Sequence, residues 1–223
     1  MFKGIKKGSD YTMTFNYPNG KAYSGNKKKE VSKKKTSENN KKTISYGKRG
    51  MTLEECLNRS NQFYLEHKVA VIHKKPTPIQ VVKVDYPKRS AAVIKEAYYR
   101  HSSTTDFNGV YKGLYLDFEA KETINKSSFP LKNFQEHQIQ HMLQVQNQNG
   151  IVFVIIQFTT LNRVFLLDYK HLRIFWENQH HTEGRKSIPL QYIEEHGFEL
   201  SYKFNPPLDY LKAVDSLLLS HTK

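Results

Sequence analysis

The sequence predicts an α/β fold in which strands form a sheet packed against helices. Three observations predict it. Apolar residues make up 38% of 223 residues, enough for a core of one domain. The segments run helix, strand, strand, strand, helix, strand, strand, helix, the mixed order of an α/β sandwich. One run, Ile151 to Ile156, is apolar at every position, as a strand buried on both faces must be.

Each element has its own signal. Thr52 followed by Glu55 is a capping-box pair, so a helix starts at Leu53, with Leu53, Leu57, Asn61 and Tyr64 on one face. Val69 to Ile72 reads as a short buried strand. Pro76 and Pro78 then forbid helix and central strand. Ile79 to Asp85 is extended and closes at Tyr86 and Pro87, while Ala91 to Arg100 fits strand or helix equally. Segment 74–100 therefore predicts an arm between two core strands. Thr104 to Phe107 reads as a strand end, and Asn108-Gly109 predicts a hairpin turn. Tyr115 to Lys121 alternates as a strand does. Phe129 to Leu131 opens a loop. Glu136 to Gln146 is helical, with Ile139, Met142, Leu143 and Val145 as its apolar stripe and Gly150 as its stop. Val164 to Leu167 is the hairpin mate of the buried run. Pro207 to Leu219 is an amphipathic terminal helix.

The charge is uneven. The formal net charge is +14, which asks for a polyanion: nucleic acid first, an anionic membrane surface second. Residues 1–50 carry 14 Lys+Arg against 3 Asp+Glu, in Lys27 to Lys29 and Lys33 to Lys35 among others. With almost no aliphatic residues, the stretch predicts a disordered, flexible basic arm over 1–46, followed by a domain over 47–223. A solubilising tail is the plainer reading of the same stretch. Segment 74–100 adds seven basic residues against two acidic ones. Lys74, Lys75, Lys83, Lys88 and Arg89 are its candidate DNA contacts. The single cysteine, Cys56, excludes an internal disulfide framework and any multi-cysteine zinc site, and fits a reducing, cytoplasmic compartment. No apolar run reaches the roughly 18 residues of a membrane span. The start, Met1 to Lys7, lacks the apolar stretch of a signal peptide.

The chemistry concentrates in Leu116-Asp117-Phe118-Glu119-Ala120-Lys121. Alternation puts Asp117, Glu119 and Lys121 on one strand face and the apolar residues on the other. A hairpin would fold Asp106 back beside Glu119, with Thr104 on the Asp106 face. Two carboxylates from adjacent strands suit a hard cation such as Mg²⁺, and a neighbouring lysine suits the charge that develops in phosphoryl transfer. Taken on spacing alone, the run also fits a solvated strand face with an ordinary salt bridge.

Asp106, followed by Glu119-Ala120-Lys121, resembles the PD-(D/E)xK nuclease motif. Longer stretches are more specific. Gly50 to Glu55, His73 to Gln80, Asp85 to Ala92, Ser103 to Gly113, Asp117 to Thr123 and Phe129 to Phe134 resemble the RecU family of Holliday junction resolvases, over roughly 46–218. Thr105 stands where the superfamily motif has proline, as expected for this family. The resemblance implies a restriction-endonuclease-like mixed sheet flanked by helices, with segment 74–100 as a protruding stalk. It implies a homodimeric, Mg²⁺-dependent endonuclease, with Mn²⁺ able to substitute, that nicks a four-way junction symmetrically in recombination and repair. It places Thr104, Asp106, Glu119 and Gln138 in a metal site, makes Lys121 the transition-state stabiliser and leaves Asp117 in support. Glu54, then Glu55, are candidate acids from the first helix. The stalk would enter the open centre of the junction. The N-terminal arm would aid DNA binding and contact the recombinase RecA. Branch-migration machinery is a further expected partner, the nucleoid the expected place, and no membrane is involved.

Other candidates read more simply. His137 and His141 stand four apart, a zinc spacing, but Gln138 occupies the place of the zincin glutamate, so helix histidines are the plainer reading. His180-His181 carries no ligand pattern, and no base is paired with Cys56. Tyr98, Tyr99, Tyr111 and Tyr115 suit packing as well as base stacking. Two other readings compete: a non-catalytic junction-binding protein that regulates recombinase, and a general nuclease of the same superfamily.

Overall fold

The computed structural model describes residues 51–88, 92–100 and 104–221. The expected arm over 1–46 and Arg89 lie outside them. Helix α1, Leu53–Glu66, starts as expected: Thr52 accepts from the Glu55 backbone and Glu55 returns a bond to the Thr52 N–H. Its buried face includes Leu53, Leu57, Asn61 and Tyr64.

The strands are β1 Val71–Lys74, β2 Ile79–Asp85, β3 Val93–Tyr99, β4 Phe107–Tyr111, β5 Leu114–Thr123, β6 Ser128–Pro130, β7 Ile151–Phe158, β8 Arg163–Asp168, β9 Ser187–Pro189 and β10 Phe198–Leu200. A six-stranded sheet runs β1-β4-β5-β7-β8-β10. β5 and β7 are parallel and the other neighbours antiparallel, so the sheet is mixed. β7 is buried along its whole length and β8 is its hairpin mate, as the apolar run requires. Among the described residues, β2 and β3 pair only with each other, and Val93–Tyr99 of the ambiguous Ala91–Arg100 segment is strand.

Helices α2 Glu136–Asn147, α3 Tyr169–Asn178, α4 Leu190–His196 and α5 Leu211–His221 complete the domain. Two apolar layers flank the sheet. One joins α1 and α5 to Leu116, Phe118, Phe153 and Leu166; the other joins α2, α3 and α4 to Val152, Val154, Ile156 and Leu167. Among the described residues, no helix is long and apolar enough to cross a membrane.

Four local expectations are corrected. Asn108-Gly109 is not a turn but lies within β4, where a Cβ on Gly109 would sit 2.1 Å from the Val71 carbonyl of β1. The glycine serves strand approach, and the two-residue turn is Lys112-Gly113, both at positive φ. β1 is an edge strand with only Ile72 buried, and Val69 and Ala70 precede it in the turn after α1. Phe129–Leu131 is not loop but β6 running into a 3₁₀ turn, Leu131–Asn133. The terminal helix begins at Leu211, after Leu208 has bridged to Tyr202.

Candidate active site

β5 sorts its side chains by alternation. Leu116 and Phe118 enter the α1/α5 layer, while Asp117 and Glu119 turn toward the α2 side, both at 0% exposure. The β4–β5 register places Phe107 opposite Phe118, which carries the preceding residue, Asp106, to Glu119. There the Asp106 backbone N–H donates to Glu119 Oε2 at 3.0 Å. Lys121 Nζ lies 2.6 Å from Glu119 Oε1. Gln138, on the first turn of α2, donates from Nε2 to the same oxygen at 2.7 Å, and its own Oε1 accepts the Gln135 N–H in a capping box. Burial first, and then the negative charge of Asp106, push the Glu119 carboxyl up to about 7, against the pull of Lys121. Asp106, Glu119, Lys121 and Gln138 are thus brought together.

Asp117 anchors a second cluster on the same face. Thr105 Oγ1 donates to Asp117 Oδ1. Lys75 Nζ reaches Asp117 Oδ2 at 2.8 Å, Tyr115 OH donates to that oxygen at 3.1 Å, and His141 Nε2 of α2 lies 3.2 Å from it. Lys75 also donates to Thr105 Oγ1 at 2.9 Å. Lys75, expected among the DNA contacts of segment 74–100, therefore points its ammonium inward onto a buried carboxylate. Thr105, Tyr115 and His141 are the residues that sequence reasoning left out of the site. The face periodicity of β5 marks Tyr115, but nothing in the sequence marks Lys75 or His141 for Asp117.

The remaining candidates lie further out. Thr104 Oγ1 donates to the Thr105 carbonyl at 3.4 Å. Glu54 is exposed and pairs with Lys74 at 2.5 Å. It lines, with Asp106, Phe107 and Ala120, a cleft of about 470 Å³ beside the N-terminus of α1. Glu55 is engaged in the cap of that helix. Lys83 and Lys88 are exposed.

Among the described residues, no three His, Cys, Asp or Glu side chains form a metal cage. The donor chemistry around Glu119 nonetheless fits a hard divalent cation of the Mg²⁺ type. Such an ion takes one or two carboxylates and fills its other positions with water and substrate phosphate. The crowding of Asp106 against Glu119 is the repulsion a cation relieves. The Gln138 side-chain oxygen accepts the Gln135 N–H while its nitrogen donates to Glu119 Oε1.

Comparison with known proteins shows what the chain is similar to. A protein named Holliday junction resolvase RecU from Geobacillus sp. (strain WCH70) is 57% identical over 213 residues, 94% of this chain and 100% of that one. The proteins of that name from Bacillus cereus (strain G9842) and Pediococcus pentosaceus are each 56% identical, over 93% and 92% of this chain and 100% and 98% of theirs. A solved structure of Hjc, a Holliday junction resolvase of Archaeoglobus fulgidus, matches with a TM-score of 0.37 and 10% identity, over 62% of this chain and 90% of that one; so loose a superposition supports no residue correspondence. The family model described as Recombination protein U matches residues 48–216, and with relatives this similar along nearly their whole length the chain belongs to the RecU family.

Proposed function

We propose that this protein resolves four-way DNA junctions by hydrolysing phosphodiesters at the Asp106–Glu119–Lys121 site. Relatives more than half identical are named Holliday junction resolvases. The observation that carries the reading at atomic level is Glu119: fully buried, beside Asp106, and held by Lys121 at 2.6 Å. A protein that only binds DNA has no use for a buried carboxylate whose charge is opposed by burial and by a second acid. That disfavours the non-catalytic, recombinase-regulating alternative.

Asp106 and Glu119 are the residues that would hold Mg²⁺, with Mn²⁺ as a substitute and Thr104 as an outer ligand. When bound, the cation supplies Lewis-acid polarisation of a phosphoryl oxygen and lowers the pKa of a coordinated water. Gln138 orients the Glu119 carboxylate. Lys121 contributes a fixed positive charge to the phosphoryl oxygens as negative charge builds on them, and can hold the attacking water in line. Asp117 supports the site through the cluster beside it. The cleft by α1 leaves Glu54 within reach of the same region, at the cost of its pairing with Lys74.

Paired symmetric nicks need two copies of this site, so the active species is a homodimer. Domain 47–223 carries the chemistry. The β2–β3 ribbon is the stalk that enters the junction centre, with Lys83, Lys88 and Arg89 as phosphate contacts. The arm over 1–46 adds non-specific affinity and offers a contact to RecA and to branch-migration machinery at the nucleoid in the cytoplasm.

The test uses end-labelled synthetic four-way junction and matched linear duplex, with and without Mg²⁺. Symmetric nicked duplexes from the junction alone, and only with metal, are the expected result. Equal cutting of linear duplex would favour a general nuclease. Glu119→Ala and Asp106→Ala are each expected to lower the cleavage rate at least about a hundredfold while junction binding persists. Normal cutting by both variants would show that the site is elsewhere.

A further inference from the structure

Lys75 is the first residue after β1, where the chain leaves the six-stranded sheet for the β2–β3 ribbon. It touches the site in two ways. Its backbone N–H donates to the Asp106 carbonyl at 2.7 Å, and the N–H of Asp106 in turn donates to Glu119 at 3.0 Å. Its side chain is 17% exposed, and its ammonium lies on the fully buried Asp117 and on Thr105, with His141 Nε2 at 3.4 Å. Thr105, Asp106 and Asp117 are thus held directly from one residue at the root of the ribbon, and Glu119 is reached through Asp106.

We infer that Lys75 is a positioning residue that latches the root of the stalk to the metal-binding strand pair, so that stalk placement sets the geometry of Asp106 and Glu119. The inference rests on the nuclease reading above. Lys75 is here neither a phosphate contact nor a group that touches the reacting atoms. Pro76 stiffens the chain just beyond it, so displacement of the ribbon is passed to Lys75 rather than absorbed in a flexible joint. The ion pair is largely out of solvent, where loss of one partner strands the other's charge.

The test uses the full-length chain as Lys75→Arg, Asp117→Asn and the double variant Lys75→Met/Asp117→Asn, which leaves no unpaired buried charge. Wild-type protein is first shown to nick the four-way junction; if it does not, the functional reading fails before the latch is tested. Thermal unfolding, junction affinity in chelator and single-turnover cleavage across a Mg²⁺ series are then measured. Expected for the double variant and for Asp117→Asn are unchanged junction affinity, a rate lowered about 10- to 100-fold and a higher Mg²⁺ requirement, as for residues that orient metal ligands. Lys75→Arg, which keeps the charge, recovers most of the rate. Three outcomes overturn the inference. An affinity loss that accounts for the rate loss makes Lys75 a DNA contact. An unchanged rate and Mg²⁺ requirement in folded variants makes it an ordinary ion pair. Failure of both Asp117→Asn and the double variant to fold makes the pair a fold-holding contact only.

Discussion

Glu119 is the titratable group whose ionisation bears most directly on the site. Its carboxyl is pushed up to about 7 by burial and by Asp106, so it stays largely protonated where a free glutamate is ionised. The folded state therefore binds a proton that the unfolded chain has released between about pH 4.5 and pH 7. That contribution to stability is fully present below the unfolded pKa and is lost as pH rises through the folded one. Metal-free protein is thus expected to lose thermal stability relative to Glu119→Gln between about pH 5 and pH 8. Added Mg²⁺ should restore the wild type, more so at the upper end, because binding needs the ionised carboxylate. Parallel pH curves for the two proteins would show that Glu119 is not strained in this way. Period-2 alternation and the match at Asp106 made this residue legible in the sequence. Lys75 was not legible: its partner Asp117 lies 42 residues on, and its neighbours Lys74 and Pro76 assign it to the stalk by composition.

Elements were readable where a local rule and the tertiary packing agreed. The α1 cap and the all-apolar β7 satisfy both. The Asn108-Gly109 pair shows the failure, since a turn signal and a close-approach signal use the same residue type. Gly109 needs its missing side chain because β1 crosses it, with Val71 O at 2.1 Å and Ile72 Cα at 2.5 Å from an added Cβ. Gly113 needs its φ of +78°, with open space around it. The two glycines should therefore respond differently to alanine. Gly113→Ala is expected to cost about 1 kcal/mol through backbone strain alone and to leave cleavage intact. Gly109→Ala is expected to cost about 1–3 kcal/mol by overpacking. It should also slow cleavage, because the displaced β1 carries the Lys75 root. Denaturant unfolding and junction cleavage measured on both variants check this. Equal behaviour would mean that β1 can yield without disturbing the site.

Charge is divided between parts of the chain that do different work. Segment 1–46 holds 12 lysines against three acidic residues, while Asp117 and Glu119 on one face of β5 are buried. The β2–β3 ribbon is exposed along both strands, with Tyr98 at 61% and Tyr99 at 84%, and a lone two-stranded ribbon has little stability of its own. Affinity, branch recognition and cutting can therefore be separated by deletion. Each lysine that neutralises a phosphate steepens the fall of log affinity with log salt by about 0.9. Removal of residues 1–46 should flatten that slope by several units if about half of the arm lysines contact DNA, and weaken junction and linear duplex alike. Cleavage per bound junction should not change, since none of the site residues lies there. Removal of residues 78–88, which takes out Lys83 and Lys88, should flatten the slope by only about 2, with the preference for junction over duplex lost. Titrations of both substrates across a salt series, followed by Mg²⁺ addition to preformed complexes, read both deletions together. If deletion of the arm abolished cutting of bound junction, the arm would have to reach the site. If deletion of residues 78–88 left branch preference intact, recognition would have to come from the sheet domain itself.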